Sequence, residues 1–456
     1  MDYRQAWSYL DDLQFFKIKL GLDSMSAFLE SVGRPQEKLR FIHVAGTNGK
    51  GSVAAHLLTI LAAAGYKVGL YTSPHLSSVR ERFRINHTYI SEREFAEHAT
   101  AIRNSLAGNR LPRGPGDCLP RITYFEFTTA LALLWFAEQQ VDLVILEVGL
   151  GGRLDATNVV TPLVAIITNV SMDHEAHLGN TLAEVAGEKA GIIKPGVPVV
   201  SGVVADESLA VVEGSCRERG APLYLLGRDF DCAEQTDGRW TYRPIGHGKP
   251  LTGLRGGLAG GYQRTNGAIA LAALEILGKV GFPVAGETLR AALPEVIWPG
   301  RLESFCLSEP GLRKTVCPDP AGVGHGYRRY LLDGAHNPAG VASLVGYLRS
   351  RDDFDKLVVV WASMADKDYG TSLAMIAALG DILVFTRPEE ERSASPGALA
   401  EALAAEHRGK TICVDGVGNA LEKARQITGG NDLICVAGSL YLVGAVRTLL
   451  LGELVG

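Results

Sequence analysis

The sequence predicts an α/β protein in which a P-loop-type, mostly parallel sheet domain is followed by a smaller Rossmann-like α/β domain. Short apolar runs alternate with longer segments of helical period, which is the pattern of β-α-β units. The apolar runs contain few polar residues, as expected for strands that are covered on both faces. A glycine-rich turn joins the first of these strands to a helix, and that arrangement is typical of a phosphate-binding loop.

The first series of elements occupies residues 1–297. Segments 52–64 and 125–138 have helical period and lie between apolar runs. Strands are predicted at residues 40–44, 67–71, 143–147, 164–168 and 197–200. Two other stretches interrupt the series: residues 106–120 are rich in proline and glycine and predict a surface loop, and residues 232–255 predict a small hairpin.

A second series fills residues 298–456, after a Trp-Pro-Gly break at 298–300 that predicts a domain boundary. Its strands are predicted at residues 329–333, 357–361, 382–386 and 433–437. Its helices are predicted at residues 339–348, 369–378, 396–406 and 440–451. The 456 residues therefore divide into two predicted domains, 1–297 and 298–456.

The composition excludes several classes of protein. A formal charge of −5 gives no support to binding of nucleic acid or of an anionic membrane. The chain has no run of about 20 apolar residues that would span a membrane. Its seven cysteines are scattered and form no CxxC pair, which argues against a disulfide framework or a zinc ribbon and favours the cytoplasm.

Residues 40–52 read RFIHVAGTNGKGS, an apolar run that enters a glycine-rich turn with a lysine. Backbone N–H groups, the start of the next helix and the Lys50 charge can together bind phosphate. The spacing departs from the usual P-loop, because Val44 replaces the first glycine and Gly51 separates Lys50 from Ser52. An ordinary glycine turn is the alternative. The predicted phosphate-binding residues are Gly46, Thr47, Asn48, Gly49, Lys50, Gly51 and Ser52.

The motif GTNGKGS resembles the phosphate loop of the Mur ligase superfamily. Together with TSPHL at 72–76 and ERFRIN at 81–86, it resembles the folylpolyglutamate synthase and dihydrofolate synthase branch. The resemblance covers most of the chain, and its motifs occur in the family's order. It implies an ADP-forming ligase that adds L-glutamate to dihydropteroate, to the glutamate tail of reduced folates, or to both, through an acyl phosphate.

The same resemblance implies ATP and two Mg²⁺ ions as cofactors, with dihydropteroate or a reduced folate and L-glutamate as substrates. We expect a monomer without nucleic-acid or membrane partners. Segment 19–39 resembles a region present in bifunctional bacterial members, which favours both activities.

Glu147 ends an apolar run, at the sheet edge where ligands of open α/β sheets gather. Its carboxylate suits Mg²⁺, which prefers oxygen ligands, and the Ser52 hydroxyl can serve the same ion. The alternative for Glu147 is an ordinary acid at a strand end. The resemblance implies that Glu147 holds one Mg²⁺ and that His174 and Ser73 help to hold a second.

Lys189 follows Glu188 in the segment AGEKAG, on a short predicted helix. From the residues alone, the two side chains read as a solvated ion pair. The resemblance implies instead that Lys189 is carbamylated, so that it becomes a carboxylate-like ligand of Mg²⁺.

Substrate contacts are predicted from three further motifs. In TYFEFTTA, Phe125 is predicted to face the pterin and Glu126 the substrate pocket, and the start of a packed helix is the alternative. Asp155, in a glycine loop, can accept hydrogen bonds from the pterin ring. The resemblance implies that Asn266 contacts the adenine of ATP, with Tyr262 in place of the family's usual histidine.

Four residues of the second domain complete the prediction. Arg301 follows the boundary, and the resemblance implies that it reaches the ATP phosphates, whereas a surface arginine is the alternative. Asp333 and His336 lie in the turn LLDGAHNP, and the resemblance implies that they act at the acyl-phosphate and glutamate end of the cleft. Hydrogen bonds that stabilise the turn are the other interpretation. Ser439 begins a helix and is predicted either to bind an anion or to pack.

The catalytic residues under this prediction are Lys50, Lys189, Arg301, Asp333 and His336. Other hypotheses are a Mur-type amide ligase with another carboxylate substrate, a P-loop kinase or ATPase, and a non-catalytic nucleotide-binding module. A kinase accounts for Lys50 and Glu147 but not for the turn at 333–338.

Overall fold

The computed structural model describes residues 1–13, 21–107, 122–246, 248–308, 313–315, 327–365, 367–388 and 392–453. The chain divides into two compact units. Unit 1 comprises Met1–Pro74, Val79–Gly257 and Gln263–Val296, and unit 2 comprises His75–Ser78, Leu258–Tyr262 and Ile297–Gly456. Most of the loop predicted at 106–120 lies outside the described residues.

Unit 1 contains an eight-stranded sheet with the order β4-β3-β2-β5-β1-β6-β7-β8. The strands are β1 (Phe41–Ala45), β2 (Val68–Tyr71), β3 (Phe83–Ile85), β4 (Thr88–Tyr89), β5 (Leu143–Glu147), β6 (Val164–Ile167), β7 (Val199–Ser201) and β8 (Leu223–Leu225). Neighbouring strands run parallel in the part of the sheet formed by β2, β5, β1, β6, β7 and β8. Strands β3 and β4 form an antiparallel edge next to β2. The carboxyl ends of β1, β5 and β6 are therefore neighbours.

Ten α-helices accompany these strands in the described residues. They are α1 (Tyr3–Asp12), α2 (Asp23–Ser31), α3 (Lys50–Ala63), α4 (Glu92–Ala107), α5 (Tyr124–Glu138), α6 (Glu175–Leu178), α7 (Leu182–Ala190), α8 (Asp206–Glu218), α9 (Gly261–Lys279) and α10 (Gly286–Ala292). Helices α3 and α5 are apolar around most of their circumference, as expected of helices that are buried on several sides.

A separate antiparallel sheet occupies the region in which a hairpin was predicted. Its order is β11-β10-β9, with β9 (Asp231–Glu234), β10 (Trp240–Arg243) and β11 (Leu251–Leu254). The hairpin prediction is therefore incomplete, because β11 pairs with the free edge of β10 and adds a third strand.

Unit 2 contains a seven-stranded sheet with the order β13-β12-β14-β18-β15-β16-β17. Its strands are β12 (Glu303–Ser308), β13 (Arg313–Thr315), β14 (Tyr327–Leu332), β15 (Leu357–Trp361), β16 (Ile382–Phe385), β17 (Thr411–Cys413) and β18 (Leu433–Ala437). Its helices are α11 (Pro338–Arg349), α12 (Tyr369–Ala377), α13 (Pro396–Glu401), α14 (Ala405–Arg408), α15 (Val417–Gln426) and α16 (Leu440–Leu451). Strand β12 pairs antiparallel with both β13 and β14, and the other neighbouring strands pair in parallel. The predicted α/β fold class is confirmed.

The single helix predicted at residues 396–406 is wrong. The chain breaks it into α13 and α14. The Arg408 guanidinium donates to the carbonyl oxygens of Leu403 at 3.0 Å and Glu401 at 2.9 Å. These bonds satisfy carbonyl groups at and just beyond the end of α13, where no further helical turn would do so.

Two short segments that lie apart in the sequence complete the core of unit 2. Leu76 packs against the apolar cluster that contains α16 residues such as Val443. Ala259 and Tyr262 pack against a second cluster, around Trp361. A Cβ added at Gly444 on α16 would lie 2.0 Å from the carbonyl oxygen of Leu76. The helix therefore touches the backbone of the inserted segment through a residue that has no side chain.

Among the described cysteines, Cys216, Cys232, Cys413 and Cys435 are free, whereas Cys306 is disulfide-bonded. One bonded cysteine among the described residues is not the disulfide framework that the sequence argues against. Within the described parts of the chain, every helix is too short or too polar to cross a membrane.

Candidate active site

The phosphate loop lies between the end of β1 and the start of α3. Gly46 and Gly49 have φ angles of +150° and +84°, which glycine adopts without strain. A Cβ at Gly46 would lie 1.9 Å from Thr168 Oγ1, and one at Gly49 would lie 2.6 Å from Asn266 Oδ1. Both glycines are therefore required by close contacts as well as by backbone conformation.

The segment that follows β6 holds this loop in place. Asn48 N donates to Asn169 Oδ1 at 2.9 Å, and Thr168 Oγ1 donates to Asn48 O at 2.6 Å. Thr47 Oγ1 donates to Ser171 O and accepts from Ser171 N, both at 3.0 Å. These partners follow β6, which is the neighbour of β1 in the sheet. The conformation of the phosphate loop therefore depends on the order of the strands and not only on its own sequence.

Lys50 lies at the first turn of α3. Its ammonium donates to Gly46 O at 2.9 Å and to Thr47 O at 3.1 Å. The positive charge is thus held over the loop, beside the backbone N–H groups at the start of a 14-residue helix. This is the chemistry that binds and neutralises a polyphosphate.

Asn266 and Gln263 form a buried amide pair in α9. Asn266 Nδ2 donates to Gln263 Oε1 at 2.9 Å, which fixes the orientation of both amides. Gln263 Nε2 is buried without a hydrogen-bond partner, and Asn266 Oδ1 lies beside Gly49. The pair thus leaves one buried amide donor unused, and the adenine contact of Asn266 stays a prediction. Tyr262, by contrast, packs in the core of unit 2.

Glu147 and Ser73 lie at the carboxyl ends of the neighbouring strands β5 and β2. Glu147 is aligned with Val44 of β1, just before the phosphate loop, and is buried. The Ser73 backbone N–H donates to Glu147 Oε2 at 3.3 Å. The structure therefore brings together two of the predicted metal ligands.

His174 occupies a left-handed conformation, with φ of +52°, before the one-turn helix α6. Its side chain is 39% exposed, and its Nε2 atom lies 3.9 Å from Asp173 Oδ1. Among the described residues, no three His, Cys, Asp or Glu side chains form a group that could hold a metal. A metal at Glu147 would thus need hydroxyl, phosphate, water or carbamate oxygens as further ligands. Such a set fits Mg²⁺, which retains several waters.

Lys189 is buried in α7, so the solvated ion pair with Glu188 that the residues alone suggested is wrong. Glu188 instead pairs with Arg153, with 2.6 Å between Oε1 and Nη2. Burial and the nearby Lys50 charge lower the pKa of Lys189 to about 7, against the opposite effects of Asp173 and Glu188. A substantial fraction of the amine is therefore neutral near pH 7.

Asp155 has hydrogen-bond donors on both carboxylate oxygens. Oδ2 accepts from the backbone N–H groups of Gly149 at 3.0 Å and Leu150 at 2.9 Å. Oδ1 accepts from Thr157 N at 3.0 Å and Thr157 Oγ1 at 2.5 Å. Since a carboxylate offers about four acceptor positions, this residue organises its own loop. Direct pterin recognition by Asp155 stays a prediction and would require an exchange of these bonds.

Phe125 lies against the same loop, because a Cβ at Gly149 would be 2.5 Å from its Cζ atom. Its ring centroid is 5.9 Å from that of Tyr71. Glu126 belongs to a capping box, in which its Oε2 accepts from Thr123 N at 2.7 Å. Glu126 therefore fits the alternative interpretation, the start of a packed helix. The pterin contact of Phe125 stays a prediction.

The four predicted residues of unit 2 lie around the turn at 333–336. Asp333 is buried, and its carboxylate accepts from Leu302 N at 2.8 Å and Ala335 N at 2.9 Å. Burial raises the pKa of Asp333, against the effects of Arg301, these two N–H groups and His336. A Cβ added at Gly334 would lie 2.2 Å from Arg301 Nη1. Because Gly334 has no side chain, the turn leaves space for the Arg301 guanidinium and so positions it.

His336 and Ser439 complete this group. His336 Nδ1 lies 2.8 Å from Gly334 O, and since a carbonyl only accepts, Nδ1 carries the proton and a neutral ring has its lone pair on Nε2. Ser439 is buried at the start of α16 without capping the helix, and its Oγ lies 4.0 Å from Met364 Sδ. That contact favours the packing role, and anion binding by Ser439 stays a prediction.

Several residues that hold this site were not predicted from the sequence. Thr168, Asn169 and Ser171 fix the phosphate loop, and Asp173 acts on the charge of Lys189. All four residues lie in the polar segment that follows the apolar strand β6, and His174 was the one residue of that segment predicted as a site residue.

Comparison with known proteins supports one family. Residues 322–440 match the Mur ligase glutamate ligase domain. The dihydrofolate synthase/folylpolyglutamate synthase of Bacillus subtilis strain 168 is 33% identical over 98% of both chains. Escherichia coli FolC in complex with DHPP and ADP aligns with a TM-score of 0.83 at 31% identity, covering 98% of this chain and 97% of that one.

A Mycobacterium tuberculosis folylpolyglutamate synthase complexed with ADP aligns with a TM-score of 0.87 at 30% identity. This match covers 99% of this chain and 98% of that one. Since these relatives are matched over nearly their whole length, the chain belongs to the dihydrofolate synthase/folylpolyglutamate synthase family of Mur-type ligases.

Proposed function

We propose that this enzyme uses ATP to join L-glutamate to dihydropteroate, to the glutamate tail of a reduced folate, or to both. It is an ADP-forming acid–amino-acid ligase of the folate type. The observation that carries the site assignment is the buried Lys189 beside the charge of Lys50, at the end of the sheet that also holds Glu147. Under this proposal unit 1 binds ATP and unit 2 is the glutamate-ligase domain.

The reaction begins with a carboxylate, which is a poor electrophile. Transfer of the γ-phosphoryl group converts it into an acyl phosphate, the amine of glutamate attacks, and phosphate leaves from the tetrahedral intermediate. The protein mainly has to position groups and neutralise charge. Lys50 and the loop N–H groups bind the phosphates, and Arg301 adds a second cation. His336 would orient glutamate or assist the loss of its amine proton, and Asp333 would hold the turn that carries His336.

Magnesium and a carbamate form the second part of the proposal. Glu147, Ser73, Ser52 and His174 would hold Mg²⁺, which supplies charge neutralisation at the transferred phosphoryl group. The Lys189 amine would attack CO₂ and release one proton, giving a carbamate with one negative charge. A buried amine beside Lys50 would thereby become an anion, so that attraction to Lys50 replaces the repulsion between two lysine charges.

The carbamate gives a prediction with a pH dependence. Because the neutral amine is the reacting form, the carbamate fraction should rise as the pH increases through about 7, the pKa of Lys189. Carbon-13 NMR with labelled bicarbonate measures this fraction. Lys189→Ala should lose the signal and nearly all activity, and high concentrations of a small carboxylate should restore part of the activity. Lys279→Ala, at an exposed position, is the control. A signal that persists in Lys189→Ala would contradict the assignment.

The amide pair of α9 gives a prediction about the nucleotide. Gln263→Leu keeps the shape of the side chain and removes its buried donor, so KM for ATP should rise about tenfold, as for the loss of one buried hydrogen bond. KM for the folate substrate should not change. Gln426→Ala, exposed in α15, is the control. An unchanged KM for ATP in Gln263→Leu would remove the adenine assignment.

Product analysis tests the overall activity. Mass spectrometry of reactions with dihydropteroate and with tetrahydrofolate, each with ATP and glutamate, separates the two folate activities. ADP release that does not need glutamate would favour a hydrolase instead. Dependence on a uridine nucleotide would favour a ligase of cell-wall precursors.

The remaining proposals concern the state of the protein. The scattered cysteines, which form no CxxC pair, support a cytoplasmic location, and we expect a monomer. Gel filtration with light scattering tests the oligomeric state.

A further inference from the structure

A chain of three buried polar side chains connects β1 with the loop that follows β5. His43 lies in the middle of β1 and is fully buried. Its Nε2 atom is 2.9 Å from Thr157 Oγ1, and Thr157 Oγ1 is 2.5 Å from Asp155 Oδ1. The residues are 114 positions apart in sequence at the first contact, so the sheet order creates the chain.

The direction of each hydrogen bond follows from the available protons. Thr157 has one hydroxyl proton, which it donates to the Asp155 carboxylate. The oxygen can then only accept from His43, so Nε2 of His43 carries a proton. His43 Nδ1 is buried without a hydrogen-bond partner, as expected of the ring atom that lacks a proton. Burial and the Lys194 charge lower the pKa of His43 to about 3, so the ring stays neutral.

The far end of the chain is the turn behind Glu147. Asp155 Oδ2 accepts from the N–H groups of Gly149 and Leu150, the second and third residues after Glu147. The near end is two residues before Ala45, where β1 enters the phosphate loop. The chain thus ties the turn to the strand that carries the loop.

We propose that His43 is a positioning residue of the ligase reaction. Through Thr157 it holds Asp155, and Asp155 holds the Gly149–Leu150 turn in the conformation that receives the pteroate or folate substrate. The substrate role of this loop rests on the proposed function. The hydrogen-bond chain is a property of the folded protein, and it can be tested by itself.

Two amides of different length test the role of Nε2. Gln places its amide nitrogen near the position of His Nε2, whereas Asn places it near Nδ1. His43→Gln should keep KM for the folate substrate within about threefold of wild type. His43→Asn and Thr157→Val should raise this KM about tenfold, the effect of one lost buried hydrogen bond, with KM for ATP nearly unchanged. Thr157→Ser keeps the hydroxyl and should behave as wild type.

Melting temperatures of all variants separate positioning from loss of fold. Equal KM values for His43→Gln and His43→Asn, in variants with the same Tm, would overturn the proposal. So would a rise in KM for ATP that matches the rise for folate.

Nitrogen-15 NMR of the His43 ring tests the hydrogen-bond chain without an activity measurement. We expect an Nε2–H tautomer that stays neutral from pH 5 to 8, with the Nε2 shift altered in Thr157→Val. An Nδ1–H tautomer would refute the chain. If the NMR result is as expected but Asp155→Ala leaves KM for folate unchanged, the substrate role of the loop is wrong instead, and the positioning role of His43 falls with it.

Discussion

Replacing Lys50 by alanine will lower kcat about 10³-fold while the fold survives. Its ammonium is held over the phosphate loop by two carbonyl oxygens, and removal of one preorganised charge from a phosphoryl-transfer site has effects of about this size. The fold should persist because alanine favours helix formation at the start of α3. Glutamate-dependent ADP release measures kcat, and circular dichroism measures the fold.

Lys38→Ala is the matched control, since Lys38 is exposed just before β1 and has no place in the loop. It should keep full activity. A fully active Lys50→Ala enzyme would show that the loop does not bind the transferred phosphate.

Replacing Gly444 by alanine will destabilise unit 2 by about 3 kcal/mol, as for overpacking of a well-packed core. The new Cβ would lie 2.0 Å from the Leu76 carbonyl oxygen and 2.7 Å from its carbonyl carbon. Since these are backbone atoms, either the helix or the inserted segment has to move. Thermal and urea unfolding measure the loss, which should appear as a lower Tm and a lower urea midpoint.

Gly346→Ala provides a control of opposite sign. Gly346 is exposed within α11, and a Cβ there would meet nothing within 4 Å. Alanine should stabilise this helix by about 0.5–1 kcal/mol, because glycine loses more backbone entropy on folding. If both substitutions raise Tm, the packing of Leu76 against α16 is not as described.

The sequence predicted the elements whose bounds are set by the local pattern of residues. The strands at 143–147, 357–361 and 433–437 were predicted with their observed bounds, because each is a mainly apolar run that begins directly after a charged residue. The helix at 396–406 failed because its interruption depends on side-chain bonds from Arg408, which periodicity does not reveal.

The candidate site shows the same division. Motifs identified the phosphate loop, Glu147 and Lys189, since each has its own residue pattern. The sequence could not show that Asp155 already has four donors, or that Lys189 is buried beside the charge of Lys50. Those facts depend on which strands are neighbours, and the order β2-β5-β1-β6 brings together residues more than 100 positions apart.

The two short segments in unit 2 have a consequence for any attempt to divide the protein. A fragment that begins at residue 297 would lack Leu76, Ala259 and Tyr262, and each of its two apolar clusters would lose packing partners. During synthesis, residues 75–78 emerge long before the polypeptide against which they pack. We therefore expect the two units to be poor modules for truncation, domain exchange or separate expression. Limited proteolysis near residue 297 should yield pieces that remain associated rather than two autonomous domains.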